Sequence, residues 1–191
     1  AKEILNNLDS KTLGSIFRLL GEEKEGLRIS KNILRERKLN PIKTIPDLVK
    51  IIQKSKKKNF KKKTNISTQV FQALRIFVNK EITELIEGLI IATKILKEDG
   101  KIVVVTFHSL EDKIVKFFFT NFSSNKSKTS RYYPESKDKK ILFKNYKNKV
   151  IKPDLEELQE NNPSRSAKLR HAIRSNHNFT YPEEFKKKFL H

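Results

Sequence analysis

Most of the chain follows the rhythm of amphipathic helices, and one short run breaks it. Asp9 or Ser10 is placed to cap a helix through Leu20 that stops at Gly21. A second helix is predicted to open on Glu22, Glu23 and Glu25, acids that suit a helix N-terminus, and to end near Lys38 ahead of Pro41. Thr44 reads as the cap of a third, with Pro46 and Asp47 in its first turn and Leu48, Ile51 and Ile52 on one face. From Ser67 nearly to Asp99 the helical pattern resumes: Ile82, Leu85, Ile86, Leu89, Thr93 and Leu96 form one stripe, and Asn79 is a point where the stretch divides. Gly100 then leads into Ile102-Val103-Val104-Val105. Four β-branched residues with no polar alternation predict a strand buried on both faces, as in a parallel sheet. The next helix follows at once, with Leu110, Ile114 and Phe118 spaced by four. Helix, glycine turn, buried strand and helix is the order of a doubly wound α/β domain.

The remainder is less regular. Residues 121–140 predict a loop, Ile141 to Phe143 and Val150-Ile151 a hairpin pair, and Asp154 the cap of a short acidic helix. Alternation returns in Ala167, Leu169, His171 and Ile173, which predicts a last strand with Lys168, Arg170 and Arg174 on its other side. The fold class expected is therefore α/β: residues 1–64 as part of a helical insertion subdomain, and 65–191 as the C-terminal part of a Rossmann-like domain. One parallel strand with a few antiparallel ones does not complete a wound sheet, so its other strands are expected outside these 191 residues.

Charge adds a candidate partner. Lysine and arginine outnumber acids 42 to 22, giving a net charge of +20, and the seven lysines between Lys54 and Lys63 face no acid in that tract. A polyanionic partner is one reading, since neutralised phosphates release counterions and supply affinity. The other is composition: 33 lysines against 9 arginines, with many Asn, Ile and Phe, is what an AT-rich gene encodes. The absence of cysteine removes disulfides, thiolate catalysis and cysteine-held metals, and no apolar run reaches the eighteen residues of a membrane span. Neither a signal peptide nor a targeting helix is visible after Ala1. The chain has no Met, and a truncated start is the expectation.

The segment with chemistry is KIVVVTFHSLEDKIVKFFF, Lys101 to Phe119. In wound sheets ligands gather beyond the carboxyl ends of strands, which would put Thr106, Phe107, His108 and Ser109 at the mouth of a cleft. Glu111 and Asp112 fall in the first turn of the following helix, where a structural role is equally open to them: Ser109 is a natural N-cap, and the acids complement the helix dipole.

These words resemble those of the ribosomal RNA cytidine N(4)-methyltransferases, the MraW-type small-subunit methyltransferase H family. GEE at Gly21 to Glu23 with Arg28-Ile29, Pro41-Ile42 with Thr44 and Leu48, FQALRIFVNKE from Phe71 to Glu81, TFHSLEDKIVKFF, and RSAKLR from Arg165 to Arg170 occur in the family's order along nearly the whole chain. Two stretches depart from its pattern: Asn65 to Gln69, where a His-Pro-Ala-Thr-Arg-like run is usual, and Asn161 to Ser164, where an arginine is lost. The resemblance implies an S-adenosylmethionine-dependent N(4)-methylation of a decoding-centre cytidine in 16S rRNA, with the small ribosomal subunit as partner, a cytoplasmic location and room for a homodimer. From their place at the strand end, His108 and Ser109 are expected to border the pocket of the reacting base, with Glu111 or Asp112 holding the loop or an N–H as the rest of the catalytic set. Arg165, Ser166, Lys168 and Arg170 are assigned to the RNA backbone, with pairing to the acids of the 154–160 helix as the alternative. No metal is implied. The cofactor-binding residues are expected in a missing N-terminal part, since no glycine-rich GxGxxG loop occurs here. Competing readings are an RNA- or ribosome-binding half-domain without catalysis and a DNA amino-methyltransferase.

Overall fold

In a computed structural model the described residues are 1–56, 65–124 and 141–189. Residues 125–140 of the loop expected over 121–140, and 57–63 of the lysine tract, lie outside them. The chain divides into two units, Ala1–Glu81 and Ile82–His191.

The first unit is helical: α1 (Lys2–Asn7), α2 (Ser10–Leu20), α3 (Gly26–Leu39), α4 (Ile45–Ser55) and α5 (Thr68–Val78). Asp9 caps α2, its carboxylate accepting from the Lys11 and Thr12 N–H groups at 2.8 and 3.0 Å. Thr44 and Asp47 form a capping box on α4: the Thr44 hydroxyl accepts from the Asp47 N–H at 3.3 Å, and the Asp47 carboxylate accepts from the Thr44 N–H at 2.9 Å. Thr44→Ala is expected to lower stability by about 1 kcal/mol in a urea titration. Leu13 and Phe17, Ile29 and Ile33, Leu48 and Ile52, and Val70 and Ala73 supply the core from α2, α3, α4 and α5 in turn. Because α5 packs on α2, the unit boundary falls after Glu81 rather than at residue 64.

The word GEE has a structural explanation. A Cβ on Gly21 would stand 2.2 Å from the Gln69 carbonyl oxygen and 2.9 Å from that of Phe17, so only glycine lets the start of α5 approach α2 this closely. The acids after it do not open α3. Glu22 adopts a φ of 53° in the turn ahead of the helix, and the buried Glu23 pairs with Lys56, whose ammonium also donates to the Ile66 carbonyl at 2.6 Å.

The second unit contains α6 (Glu81–Ile95), which starts at the unit boundary, then β1 (Lys101–Thr106), α7 (Ser109–Asn121), α8 (Leu155–Glu160), a 3-10 turn (Asn162–Ser166), β2 (Lys168–Ile173) and α9 (Glu183–Phe189). Among the described residues its sheet has two strands, β1 antiparallel to β2, with Ile102 opposite Ala172, Val104 opposite Arg170 and Thr106 opposite Lys168.

Three sequence expectations need correction. The strand at 102–105 is present but is not an interior parallel strand among the described residues: its partner is antiparallel, and Val103 and Val105 are 56% and 50% exposed. The hairpin between 141–143 and 150–151 does not form. Phe143 instead bridges to Ser123 and Arg174, and Ile151 to Leu169. The third concerns β2, whose face with Arg170 and Arg174 is turned inward rather than outward to a partner. Arg170, Ala172 and Arg174 are on the buried side and His171 is exposed, because each arginine finds enough acceptors to be buried. Arg174 donates to the carbonyls of Thr93 (3.2 Å), Leu142 (2.9 Å), Ser175 (3.0 Å) and His177 (2.8 Å), tying α6 to the end of the sheet without any carboxylate.

Behind the sheet, α7 lays Phe118 and Phe119 against Phe143, with ring centroids 5.5 and 5.2 Å apart. The fully buried Phe185 of α9 completes this cluster, its ring 4.6 Å from that of Phe118.

Candidate functional site

Thr106 ends β1 and α7 begins three residues later, so the turn between them must satisfy free helix N–H groups locally. His108, not Ser109, is the cap. Its Nδ1 accepts from the Glu111 N–H at 3.3 Å, while Glu111 Oε2 accepts from the N–H groups of Phe107 (2.9 Å) and His108 (3.3 Å). The other ring nitrogen, Nε2, stands 3.2 Å from Glu111 Oε1. With its ring only 9% exposed, His108 is turned back onto its own helix cap. Ser109 is the first residue of α7. Burial raises the affinity of Glu111 for a proton, but the bonds from His108 and the Phe107 N–H outweigh it and hold its carboxyl below the usual range.

Asp112 lies one residue further into α7 and faces the sheet. Its Oδ1 accepts from Arg170 Nε at 2.7 Å and its Oδ2 from Arg170 Nη2 and Lys168 Nζ, both at 3.2 Å. This is a bidentate, charge-assisted pair with a second cation on one oxygen. Arg170 is 5% exposed, and its remaining donor group serves the Tyr146 hydroxyl at 3.1 Å and Asn148 Oδ1 at 2.9 Å. Burial again pushes the Asp112 carboxyl up, and the bonds from Arg170 and Lys168 more than reverse it, leaving it below the ordinary range. Burial works against the charge of Arg170 too, and its bonds to Asp112 and Tyr146 overcome that and raise its pKa.

The two sequence words FHSLED and RSAKLR are thus joined through Asp112, Arg170 and Lys168. The acids of α8, the alternative partners of those cations, are not the ones used. Arg170, one of the residues expected to contact RNA, has its guanidinium enclosed and bonded to Asp112, Tyr146 and Asn148. Lys168 is 33% exposed, while Arg165 and Ser166 are exposed at the 3-10 turn that precedes β2. Tyr146 and Asn148 were invisible in the sequence. They sit in an irregular stretch whose polar residues carry no periodic signal, and only the fold brings them to Arg170.

The five glycines all lie within the described residues. None has a positive φ, and Gly14 and Gly26 are buried in the packing of α2 and α3. Among the described residues no helix is long and apolar enough to cross a membrane.

A family model described as the MraW methylase family matches residues 1–175. The chain is 42% identical over 175 residues to the ribosomal RNA small subunit methyltransferase H of Agrobacterium fabrum, covering 92% of this chain and 51% of that protein. It is 41% identical over 176 residues to the protein of the same name from Bartonella tribocorum (92% and 53% covered), and 41% over 177 residues to that of Allorhizobium ampelinum (93% and 52%). The chain spans about half the length of the curated relatives it matches. With the model match running from residue 1 to 175, this chain belongs to the MraW methylase family.

Proposed function

We propose that this chain is part of an S-adenosylmethionine-dependent methyltransferase that modifies the N4 amine of a decoding-centre cytidine in small-subunit ribosomal RNA. The observation that carries the reading is the extended identity to proteins named ribosomal RNA small subunit methyltransferase H, across both units. The geometry of the Asp112 lock supports it, since that lock holds two of the family's words in one place.

In this reading the cofactor supplies an electrophilic methyl group, and the described residues supply position and charge. The cytosine amine is a weak nucleophile because its lone pair is delocalised into the ring, so it must be oriented and shielded from water. The turn of His108 and Ser109 borders the base in this reading, with the enclosed His108 ring acting through its cap on α7 rather than by touching the base. Glu111 fixes the loop by holding the Phe107 and His108 N–H groups, and Asp112 fixes the first turn of α7 against β2. Proton loss from the amine follows transfer, so no strong base is needed. Arg165, Ser166 and Lys168 meet the RNA backbone, while Arg170 acts as a positioning residue from inside.

The test uses the intact protein, small ribosomal subunits and S-adenosylmethionine with a labelled methyl group. Label on the N4 of a single small-subunit cytidine is the expected result, found by nuclease digestion and mass spectrometry. Label on another atom, or none, overturns the reading. Calorimetry on the 191-residue chain alone is expected to show no measurable S-adenosylmethionine binding.

A further inference from the structure

The basic residues of α3 fall into two groups. Arg37 is used by the fold: its Nη1 donates to the carbonyls of Leu5 and Leu8 at 2.8 and 2.7 Å, closing the end of α1. Arg28, Lys31, Arg35 and Lys38 are not used in that way. They recur at spacings of three, four and three, which places them within an arc of roughly 80° on a helix of about 3.6 residues per turn. All four are exposed, and the buried residues Gly26, Ile29, Ser30 and Ile33 occupy the opposite side. Lys24, also exposed, lies in the turn just ahead of the helix.

Two acids border this line. Glu25 is 3.4 Å from Arg28, and Glu36 is 3.9 Å from Arg35 and 3.7 Å from Lys54. Lys24, Lys31 and Lys38 have no ion-pair partner among the described residues. Like charges three and four apart on a helix repel one another, and only Arg28 and Arg35 in the row have an acid within 4 Å among the described residues. A linear polyanion laid along it would remove that repulsion and release its own counterions.

We infer that this face of α3 is a docking surface for the sugar–phosphate backbone of RNA. From Arg28 to Lys38 the helix rises about 15 Å. That length lets the row run beside several consecutive phosphates of one strand. An acidic protein surface fits less well, because protein interfaces are organised around a clustered apolar or aromatic anchor. Here the exposed apolar neighbours are Leu27 and Leu39, at opposite ends of the helix. The inference rests on the reading that RNA is the substrate, and it gives that RNA a contact on the first unit, apart from Arg165 and Lys168 on the second.

The test compares the 191-residue chain with its Arg28→Gln/Lys31→Gln/Arg35→Gln/Lys38→Gln variant, using a labelled transcript of small-subunit ribosomal RNA and a series of KCl concentrations. Glutamine keeps helix propensity, so thermal unfolding by circular dichroism should be unchanged. Four lost phosphate contacts should lower the slope of log K against log salt by about 3. Equal slopes for parent and variant overturn the surface. So does a parent chain that fails to bind the transcript, or one from which polyglutamate displaces it as readily as unlabelled RNA does. Should the fourfold variant unfold, Arg28→Gln/Lys31→Gln is read instead, with half the slope change expected. Methyl transfer by the intact protein separates this inference from the proposed activity. Steep binding without cytidine methylation removes the activity and leaves the surface. Methylation with an unaltered slope in the variant does the reverse.

Discussion

Asp112→Ala is expected to destabilise the second unit by about 3–5 kcal/mol, the usual cost of removing one partner from a buried ion pair. The aspartate is the acceptor for both Arg170 Nε and Nη2, so its loss leaves an enclosed guanidinium facing Tyr146 and Asn148 alone. Lys168, being partly exposed, can turn to solvent and loses less. Replacing both partners, as in Asp112→Leu/Arg170→Leu, should cost clearly less than the sum of the two single changes, since no charge is then stranded. Urea unfolding followed by circular dichroism reads these differences, and additive losses would show that the pair does not act as a unit. The carboxylate also predicts an acid dependence. The folded pKa of Asp112 is depressed, so its stabilising effect is fully present above the unfolded value of 3.8 and fades as pH falls through the lower folded value. Glu111, depressed from 4.5, adds in the same direction. Asp112→Asn should therefore flatten the loss of stability below about pH 4, and an unchanged acid limb would contradict the assignment.

Phe185→Ala should cost about 3–5 kcal/mol, the range for emptying an aromatic site in a packed core. The ring is fully buried, with centroids 4.6, 6.2 and 6.4 Å from those of Phe118, Phe117 and Phe122. Those three side chains belong to α7 or its cap, the same helix whose first turn carries Glu111 and Asp112. Helix α9 is also tied to α6 by Lys186 Nζ, 2.5 Å from Glu87 Oε1, and Lys188 Nζ stands 4.0 Å above the Phe117 ring. The exposed ion pair is worth little next to the buried ring. Lys186→Ala is thus expected to shift the unfolding midpoint far less than Phe185→Ala, and comparable shifts would mean that the ring packing is not what holds α9. The family model ends at residue 175, so α9 lies beyond the matched stretch, yet it closes the core behind the site.

What the sequence determined by itself was local. Caps at Asp9, Thr44 and Asp154, the division of the long helical stretch at Asn79, and the strand and helix around FHSLED all follow from interactions within four or five residues, and all are present. Even there His108 took the cap expected of Ser109, because an imidazole nitrogen accepts from an N–H as well as a hydroxyl does. The tertiary structure decided everything that depended on a distant partner. A run of valines reads the same in an interior parallel strand as in this antiparallel one, since its hydropathy does not say which neighbour pairs with it. The alternation of β2 gave two faces without saying which is inside, and the arginine face went in because Asp112, Tyr146 and a set of carbonyls, from 1 to 81 residues away in sequence, were there to receive it. Burial of a charge is settled by its partners, and partners are brought together only by the fold.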